Sequence, residues 1–325
     1  ENLKAVTGMK MTAKVNQQGM EIPLEIYQLS DGRQMTVIKF QGKEIKQGVF
    51  DGETLWSTNF MTMKAEKSDA EATARLAGAL KADPLVAGLL LQRGISSFEE
   101  ARSFFRPELE HLHDPFLMKD MDRAVMRIEQ AVERGERILI YGDYDVDGTS
   151  SVALMIAYLR GSYPNVASYI PDRYTEGYGV SLQGIDFAAD NEITLIVALD
   201  CGVKAIEQVA YARQRGIDFI ICDHHRPGPD LPQAIAVLDP KREDCLYPYT
   251  ELCGCGVGFK LIQALHMRKG LSVESLLPFL DLVAVAIAAD IVPMTGENRV
   301  LSYYGMRVIN ENPRPGLRAL MESVQ

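Results

Sequence analysis

ILIYGDYDVDG, residues 138–148, is the stretch that decides the fold. Its first four residues are apolar and β-prone, which predicts a short buried strand, and a helix is predicted to begin near Thr149. Three acids occupy alternate positions between the two, and an extended segment would direct their carboxylates to one side. They are Asp143, Asp145 and Asp147. A strand that ends directly in a group of acids predicts a ligand-binding loop.

Three further apolar runs end in the same way. The runs at 195–199, 219–222 and 235–238 are followed by Asp200, by Asp223, His224 and His225, and by Asp239. Apolar runs that alternate with helical periodicity predict an α/β fold with a parallel sheet. Because parallel strands point the same way, we expect these acids and histidines at one edge of the sheet, where open α/β sheets bind ligands.

Several carboxylates in one pocket repel each other, and a bound cation is the simplest remedy. Oxygen ligands with one or two imidazoles suit Mn²⁺ first and Mg²⁺ second. The alternative is that each acid is a helix cap or a turn residue, and Asp239, which precedes Pro240, is interpreted in that way. Capping needs no paired histidines, however, so the set as a whole predicts a metal site.

Asp290 is a separate candidate because it ends the apolar stretch 282–289. A charge at such a place is costly unless it is paired or binds a ligand. A carboxylate is also disfavoured at the C-terminal end of a helix, where the helix dipole is negative. We therefore expect Asp290 to bind metal.

The bulk composition limits the classes of function. The 325 residues carry a formal net charge of −10, so the chain does not coat nucleic acid non-specifically, and any nucleic acid must enter a local basic channel. No apolar run reaches the roughly 18 residues of a membrane span. Five scattered cysteines favour a reducing cytoplasm. A zinc site at Cys253, Cys255 and His266 is disfavoured, because the C-x-C spacing lacks a matching second pair.

Four motifs, in order, resemble the signatures of the DHH phosphoesterases: GDYDVDG at 142–148, VALDCG at 197–202, CDHH at 222–225 and AADIVP at 288–293. The flanking sequences at 111–125, 171–181, 252–262 and 296–306 are similar to those of the RecJ branch of that family. The resemblance extends from about Ala74 to the C-terminus. It implies a two-metal phosphodiesterase.

The resemblance also implies the roles of single residues. The ligands of two Mn²⁺ or Mg²⁺ ions would be Asp145, Asp147, Asp200, His224 and Asp290, with Asp147 or Asp200 bridging the ions. Asp143 and His225 would either support the metal ligands from behind or face the phosphate, and they complete the catalytic set. His225 would contact the scissile phosphate or protonate the leaving oxygen, while the ions activate a water and neutralise charge.

Nucleic-acid contacts are expected in the loop 173–179. Arg173 can grip a phosphate and Tyr178 can stack on a base, although a surface turn that needs flexible glycines is the alternative. Arg299 has a similar but weaker claim, because an arginine beside Asn298 often makes only a helix-start hydrogen bond.

The implied function is that of a cytoplasmic 5′ to 3′ exonuclease specific for single-stranded DNA, acting in recombination and repair. A helicase or a single-strand-binding protein is a possible partner, and a membrane is not. One alternative is a phosphodiesterase for short oligonucleotides or cyclic dinucleotides, which the RecJ-type flanks disfavour. Another is a catalytically idle binding module, which predicts lost ligands.

The chain is predicted to have three parts. Residues 1–66 form an antiparallel β-meander of unknown role, with strands at 10–15, 21–29, 33–40, 43–50 and 53–60 and turn signals at 18–19, 31–32, 41–42 and 51–52. Residues 67–136 are helical, with helix starts after Asp83 and at Ser97, and residues 137–325 form the DHH catalytic domain.

Two features depart from the family. The meander is foreign to it and faintly similar to the opening strands of lipoprotein-carrier half-barrels, so unrelated segments joined near Ser68 are one interpretation. The chain starts at Glu1 without Met, and the DHHA1-type and OB-fold domains of the family do not follow Gln325. Activity of such a chain is therefore left open.

Overall fold

A computed structural model describes residues 7–17, 20–40, 43–51, 55–59, 64–67 and 70–324. The chain divides into two compact units, residues 1–106 and 107–325. Among the described helices, none combines the length and the apolar character needed to cross a bilayer.

The first unit begins with a six-stranded antiparallel meander. Its strands follow one another in chain order: β1 (Gly8–Gln17), β2 (Met20–Leu29), β3 (Gln34–Phe40), β4 (Lys43–Phe50), β5 (Leu55–Asn59) and β6 (Lys64–Lys67). The meander is as predicted, and β6 is an additional strand. The turn signal at 31–32 forms a turn in which Gly32 has a φ of +92°, which favours glycine. The signals at 18–19 and 41–42, and Gly52 of the fourth, lie outside the described residues.

Three helices complete the first unit: α1 (Ala70–Leu80), α2 (Pro84–Leu91) and α3 (Phe98–Phe105). Asp83 caps α2 by accepting a hydrogen bond from the Leu85 N–H at 2.8 Å, and Pro84 occupies the first helical position, as predicted. At α3, Ser97 and Glu100 form a capping box. The apolar faces of the three helices share a small core that includes Leu76, Ala87 and Ala101.

The second unit contains a five-stranded parallel sheet, which confirms the predicted α/β class. Its strands are β7 (Arg137–Gly142), β8 (Val166–Tyr169), β9 (Ile193–Leu199), β10 (Asp218–Cys222) and β11 (Ala236–Leu238), in the order β11-β10-β9-β7-β8. The sequence indicated every strand except β8. The order places the ends of β7, β9, β10 and β11 side by side.

Helices cover both faces of this sheet. The helices of the second unit are α4 (Met121–Glu133), α5 (Val146–Arg160), α6 (Leu182–Asp190), α7 (Ile206–Gln214), α8 (Gly254–Arg268), α9 (Leu280–Ala289), α10 (Gly296–Glu311) and α11 (Pro315–Ser323). Short 3₁₀ segments lie at Leu109–His111, Pro115–Leu117 and Val273–Phe279. Alternate residues of β7 lie on opposite faces of the sheet and belong to two separate cores. Ile138 and Ile140 pack with α4, α5, α8 and α9, whereas Leu139 and Tyr141 pack with α6 and α7.

The predicted start of α5 near Thr149 was wrong by three residues. The helix begins at Val146, because the Asp145 side chain caps it by accepting a hydrogen bond from the Gly148 N–H at 2.8 Å. Asp147 therefore lies on the first turn of a helix and not on an extended segment.

A buried ion pair ties α8 to α10. Lys260 Nζ lies 3.0 Å from Glu297 Oε1, and both side chains are fully buried. Lys260 also donates to the His113 carbonyl at 2.7 Å, while Glu297 accepts from the His113 N–H and from the Tyr247 hydroxyl. The network fixes residue 113 against the two helices, and every member has a partner.

Replacing Lys260 by Met should destabilise the protein by about 3–5 kcal/mol, because Glu297 would be left as an unpaired buried charge. Urea unfolding measures the change. Adding Glu297→Gln should restore part of the loss, since the uncharged Gln can accept from the His113 N–H with its carbonyl oxygen and donate to the Tyr247 oxygen with its amide. The control is Arg268→Met, which removes an exposed ion pair with Glu129 and should cost less than about 1 kcal/mol. Equal effects of the two single substitutions would contradict the assignment.

Candidate metal centre

Three carboxylates surround one imidazole nitrogen at the carboxyl edge of the sheet. His224 Nε2 lies 3.2 Å from Asp200 Oδ1, 3.6 Å from Asp290 Oδ2 and 3.8 Å from Asp147 Oδ2. His224, Asp147 and Asp200 are buried, whereas the Asp290 side chain is 29% exposed. The structure thus brings together four of the five residues predicted as metal ligands.

Asp147 is fixed by the start of another helix. Its Oδ2 accepts a hydrogen bond from the Gly254 N–H and its Oδ1 from the Cys255 N–H, both at 2.7 Å. These are the first two amides of α8, where the helix dipole favours an anion. Burial raises the pKa of Asp147, and the two N–H donors oppose that rise. The expectation that Asp147 is oriented by an extended segment is corrected: helix geometry and the α8 amides orient it.

Asp200 has a strained backbone and a crowded side chain. Its φ is +60°, in the left-handed region that few non-glycine residues adopt. Gly254 packs directly against it, since a Cβ at that glycine would lie 2.5 Å from both Cβ and Oδ1 of Asp200. Neither carboxylate oxygen has a hydrogen-bond partner among the residues that the structure describes. Burial, followed by repulsion from Asp147, raises the pKa of Asp200.

Asp143 and Asp145 lie beside this group. Asp143 is fully buried; its Oδ1 accepts from the Gly179 N–H at 3.4 Å, and its Oδ2 has no partner in the described part of the chain. Burial raises the pKa of Asp143. Asp145 is exposed and serves as the cap of α5, and its negative charge adds to the repulsion that raises the pKa of Asp200. Asp145 does not belong to the group around His224 Nε2.

Asp290 stands at the C-terminal end of α9, as predicted, with its N–H bonded to the Ala286 carbonyl. Ile291 follows with a φ of +56° and an 81% exposed side chain. A β-branched residue rarely adopts this conformation, and such strain concentrates at functional sites. The chain therefore changes direction at Ile291, directly after Asp290.

His225 is held by a relay of hydrogen bonds. Its Nδ1 lies 2.7 Å from Asp223 Oδ1, and its Nε2 lies 3.0 Å from the Tyr178 hydroxyl. Asp223 is itself anchored, because it accepts hydrogen bonds from the N–H groups of Val203, His224 and His225. The hydrogen bond to Asp223 raises the pKa of His225, whereas burial lowers that of His224.

The residues predicted to contact nucleic acid are spread more widely. Arg173 lies over the ring of Tyr144 at 4.5 Å, and the rings of Tyr144 and Tyr178 meet edge to face with centroids 6.2 Å apart. The loop 173–179 is therefore connected to the metal centre through the hydrogen bond between Tyr178 and His225. Arg299 lies in the first turn of α10, half-buried, and is not among the side chains around His224.

The side chains fit a hard divalent cation. Two overlapping groups place a ligand atom of each member within 4.8 Å of the others: Asp147, His224 and Asp290, and Asp200, His224 and His225. Both ring nitrogens of His224 and both oxygens of Asp200 are buried without a hydrogen-bond partner in the described residues. Carboxylates with imidazole suit Mn²⁺ or Mg²⁺. No group of this kind among the described residues includes Cys253 or Cys255, and His266 bonds to Ser272 and Ser275 instead.

Sequence reasoning missed three contributors to the centre. Asp223 was quoted in a motif without a role, although its position beside two histidines was a usable signal. Tyr144 lies between two of the predicted acids. The amides of 254 and 255 carry no side-chain signal, so only the three-dimensional structure could reveal them.

Substituting Asn for Asp200 tests the metal centre. Mn²⁺ at a hundredfold excess over its dissociation constant should stabilise the parent protein by about 2.7 kcal/mol, and the variant should lose this gain. The metal-free variant should be at least as stable as the metal-free parent, because a buried charge is removed. Thermal unfolding with and without Mn²⁺ measures both effects. Asp239→Asn, at another buried carboxylate of the same edge, should retain the Mn²⁺ response; a response retained by Asp200→Asn would contradict the assignment.

Comparisons with known proteins found similar sequences and similar folds. A single-stranded-DNA-specific exonuclease RecJ of Bacillus subtilis is 39% identical over 262 residues, which are 81% of this chain and 33% of that protein. A RecJ exonuclease crystallised with manganese is 32% identical, with a TM-score of 0.59 over 67% of this chain and 54% of that one. The RecJ of Thermus thermophilus with Mg²⁺ gives 26% identity and a TM-score of 0.56 over 79% of this chain and 32% of that one.

The chain thus spans only a third of the length of the Bacillus relative. The family model of the DHH family, N-terminal domain, matches residues 137–287, which include Asp143 to Asp147, Asp200, His224 and His225. Residues 137–287 therefore form a DHH-family domain, and the chain that carries it is a homologue of the RecJ exonucleases.

Proposed function

We propose that this chain hydrolyses phosphodiester bonds of single-stranded DNA as a RecJ-type exonuclease, working 5′ to 3′ in recombination and repair. The observation that carries the proposal is the approach of three carboxylates within 3.8 Å of one imidazole nitrogen that has no hydrogen-bond partner in the described residues. That arrangement suits a site for divalent cations on a DHH-family domain. We take residues 137–325 as the catalytic part, in a cytoplasmic protein that meets helicases or single-strand-binding proteins.

The proposed ligands of two Mn²⁺ or Mg²⁺ ions are Asp145, Asp147, Asp200, His224 and Asp290. Bound there, the ions supply a water polarised at neutral pH and neutralise charge on the phosphate. Asp147 keeps its orientation through the α8 amides, and Asp200 keeps its own through contact with Gly254. The oxygens of Asp147 and Asp200 are therefore held in place before any cation binds.

His225 is suited to move a proton at the substrate. Asp223 accepts the Nδ1–H, which leaves Nε2 as the reactive nitrogen, and the same hydrogen bond raises the pKa of His225. A raised pKa increases the protonated fraction at neutral pH, which favours donation to the departing 3′ oxygen. The Tyr178 hydroxyl keeps Nε2 aimed into the cleft until substrate displaces it.

The function is tested with single-stranded oligonucleotides labelled at either end, in the presence of Mn²⁺. We expect mononucleotides to be released first from the 5′ end, and the matching duplex to be cut poorly. Asp200→Asn should lower the rate by more than about a hundredfold. Removing a metal ligand should cost more than removing a residue that only hydrogen-bonds a ligand. Preferred cleavage of a dinucleotide or cyclic dinucleotide would favour the short-substrate alternative. Bound Mn²⁺ without turnover on any of these would favour the idle module.

Replacing His225 by Ala should lower kcat by about 10²–10⁴ while the Mn²⁺-induced rise in Tm persists. Tyr178→Phe removes only the hydroxyl that orients His225 in the free protein and should lower kcat/KM by about fivefold, the worth of about one hydrogen bond. Tyr174→Phe in the same loop is the matched control, since that side chain is 91% exposed and should have no effect. Full turnover by His225→Ala with intact metal binding would exclude the assigned role.

A further inference from the structure

A rigid turn follows β11 at the same edge of the sheet. Asp239, Pro240, Lys241 and Arg242 form a β-turn closed by a hydrogen bond from the Arg242 N–H to the Asp239 carbonyl at 3.3 Å. Asp239 Oδ1 also accepts the Lys241 N–H at 2.7 Å, which confirms that Asp239 is a turn residue. Proline after aspartate fixes such turns. The backbone of Lys241 is therefore held in place.

The register of the sheet sets this turn beside the histidines. Cys222 on β10 pairs with Leu238 on β11, and the Asp223 N–H continues the ladder to the Leu238 carbonyl at 3.0 Å. His225 is the third residue after Cys222, and Lys241 is the third residue after Leu238. The positive charge of Lys241 also reaches both imidazoles: burial is the main reason that the pKa of His224 is lowered, and Lys241 adds to it. The charge of Lys241 also opposes the rise in the pKa of His225 that the hydrogen bond to Asp223 causes.

Lys241 differs from its neighbour in having no anionic partner. Arg242 is buried and donates to Asp120, to Asp244 and to the Val237 carbonyl. Lys241 is half-buried, and within the described ranges no carboxylate lies at ion-pair distance from its ammonium. A half-buried lysine usually keeps its ammonium in water while its stem packs on the protein. The ammonium of Lys241 is therefore open to an anion from outside the chain.

We propose that Lys241 binds a phosphate of the nucleic-acid chain at the mouth of the metal centre, beside His225. The inference rests on the proposed function and adds a residue to its substrate site. An ammonium is a compact point charge that suits a phosphate oxygen. Once cations neutralise the carboxylates of the centre, Lys241 stays positive and attracts the next phosphate along the strand.

Binding is measured by fluorescence anisotropy with a 3′-labelled, phosphorothioate-linked oligothymidylate in the presence of Mn²⁺, over a series of salt concentrations. Lys241→Met should raise Kd about tenfold and lower the slope of log K against log salt by about 0.7, the value for one phosphate contact on a single strand. In the cleavage assay KM should rise more than kcat falls. Lys241→Arg should restore binding to within about threefold.

Lys269→Met is the control, because that lysine lies beyond the far end of α8, about 20 Å along the helix from Gly254. Equal Kd and salt slope in Lys241→Met and Lys269→Met would overturn the inference. So would a raised Kd with an unchanged slope, since that indicates a structural effect. A parent protein that binds the oligothymidylate through Lys241 but cleaves nothing would refute the proposed function and leave this contact standing.

Discussion

Repulsion among the carboxylates of Asp147, Asp200 and Asp290 is the constraint on which the rest of the structure depends. They approach a single nitrogen of His224 to within 3.8 Å, and two of them are almost fully buried. Buried like charges are stable only when a cation or a proton compensates them. The raised pKa of Asp200 expresses that cost in the metal-free chain. The fold therefore holds a cluster whose negative charge a proton or a cation must compensate.

Backbone groups position much of this carboxylate cluster. The α8 amides of residues 254 and 255 grip both oxygens of Asp147, and Gly254 leaves room for Asp200 in a left-handed conformation. Larger side chains at 254 would collide with Asp200, so the glycine is required by close approach. Asp200 and Ile291, the residue after Asp290, both have a positive φ, and backbone strain of this kind concentrates at functional sites.

The sequence predicted the parallel sheet and the residues at its edge because apolar runs and the acids after them are local signals. It misplaced the start of α5, since Asp145 reads equally well as a loop acid and as a helix cap, and only the hydrogen bond to Gly148 decides between them. It could not indicate that the α8 amides orient Asp147, because residues 147 and 254 are brought together only by the fold. β8 was missed because its four residues carry only a weak apolar pattern. The division into three parts at 66 and 136, and the roles of single site residues, stay predictions.

The two adjacent histidines lie in different hydrogen-bond environments. His224 has both ring nitrogens unpaired in the described structure and faces carboxylates, so an electron pair on Nε2 is available to a cation. His225 has both nitrogens engaged, one by Asp223 and one by Tyr178, so its tautomer and its direction are set before substrate arrives. Asp223 produces this difference: it bonds the backbone N–H of both histidines but the ring of only one. A single buried aspartate therefore gives the two neighbouring histidines different surroundings, which suit the proposed metal ligation by His224 and the proposed proton transfer by His225.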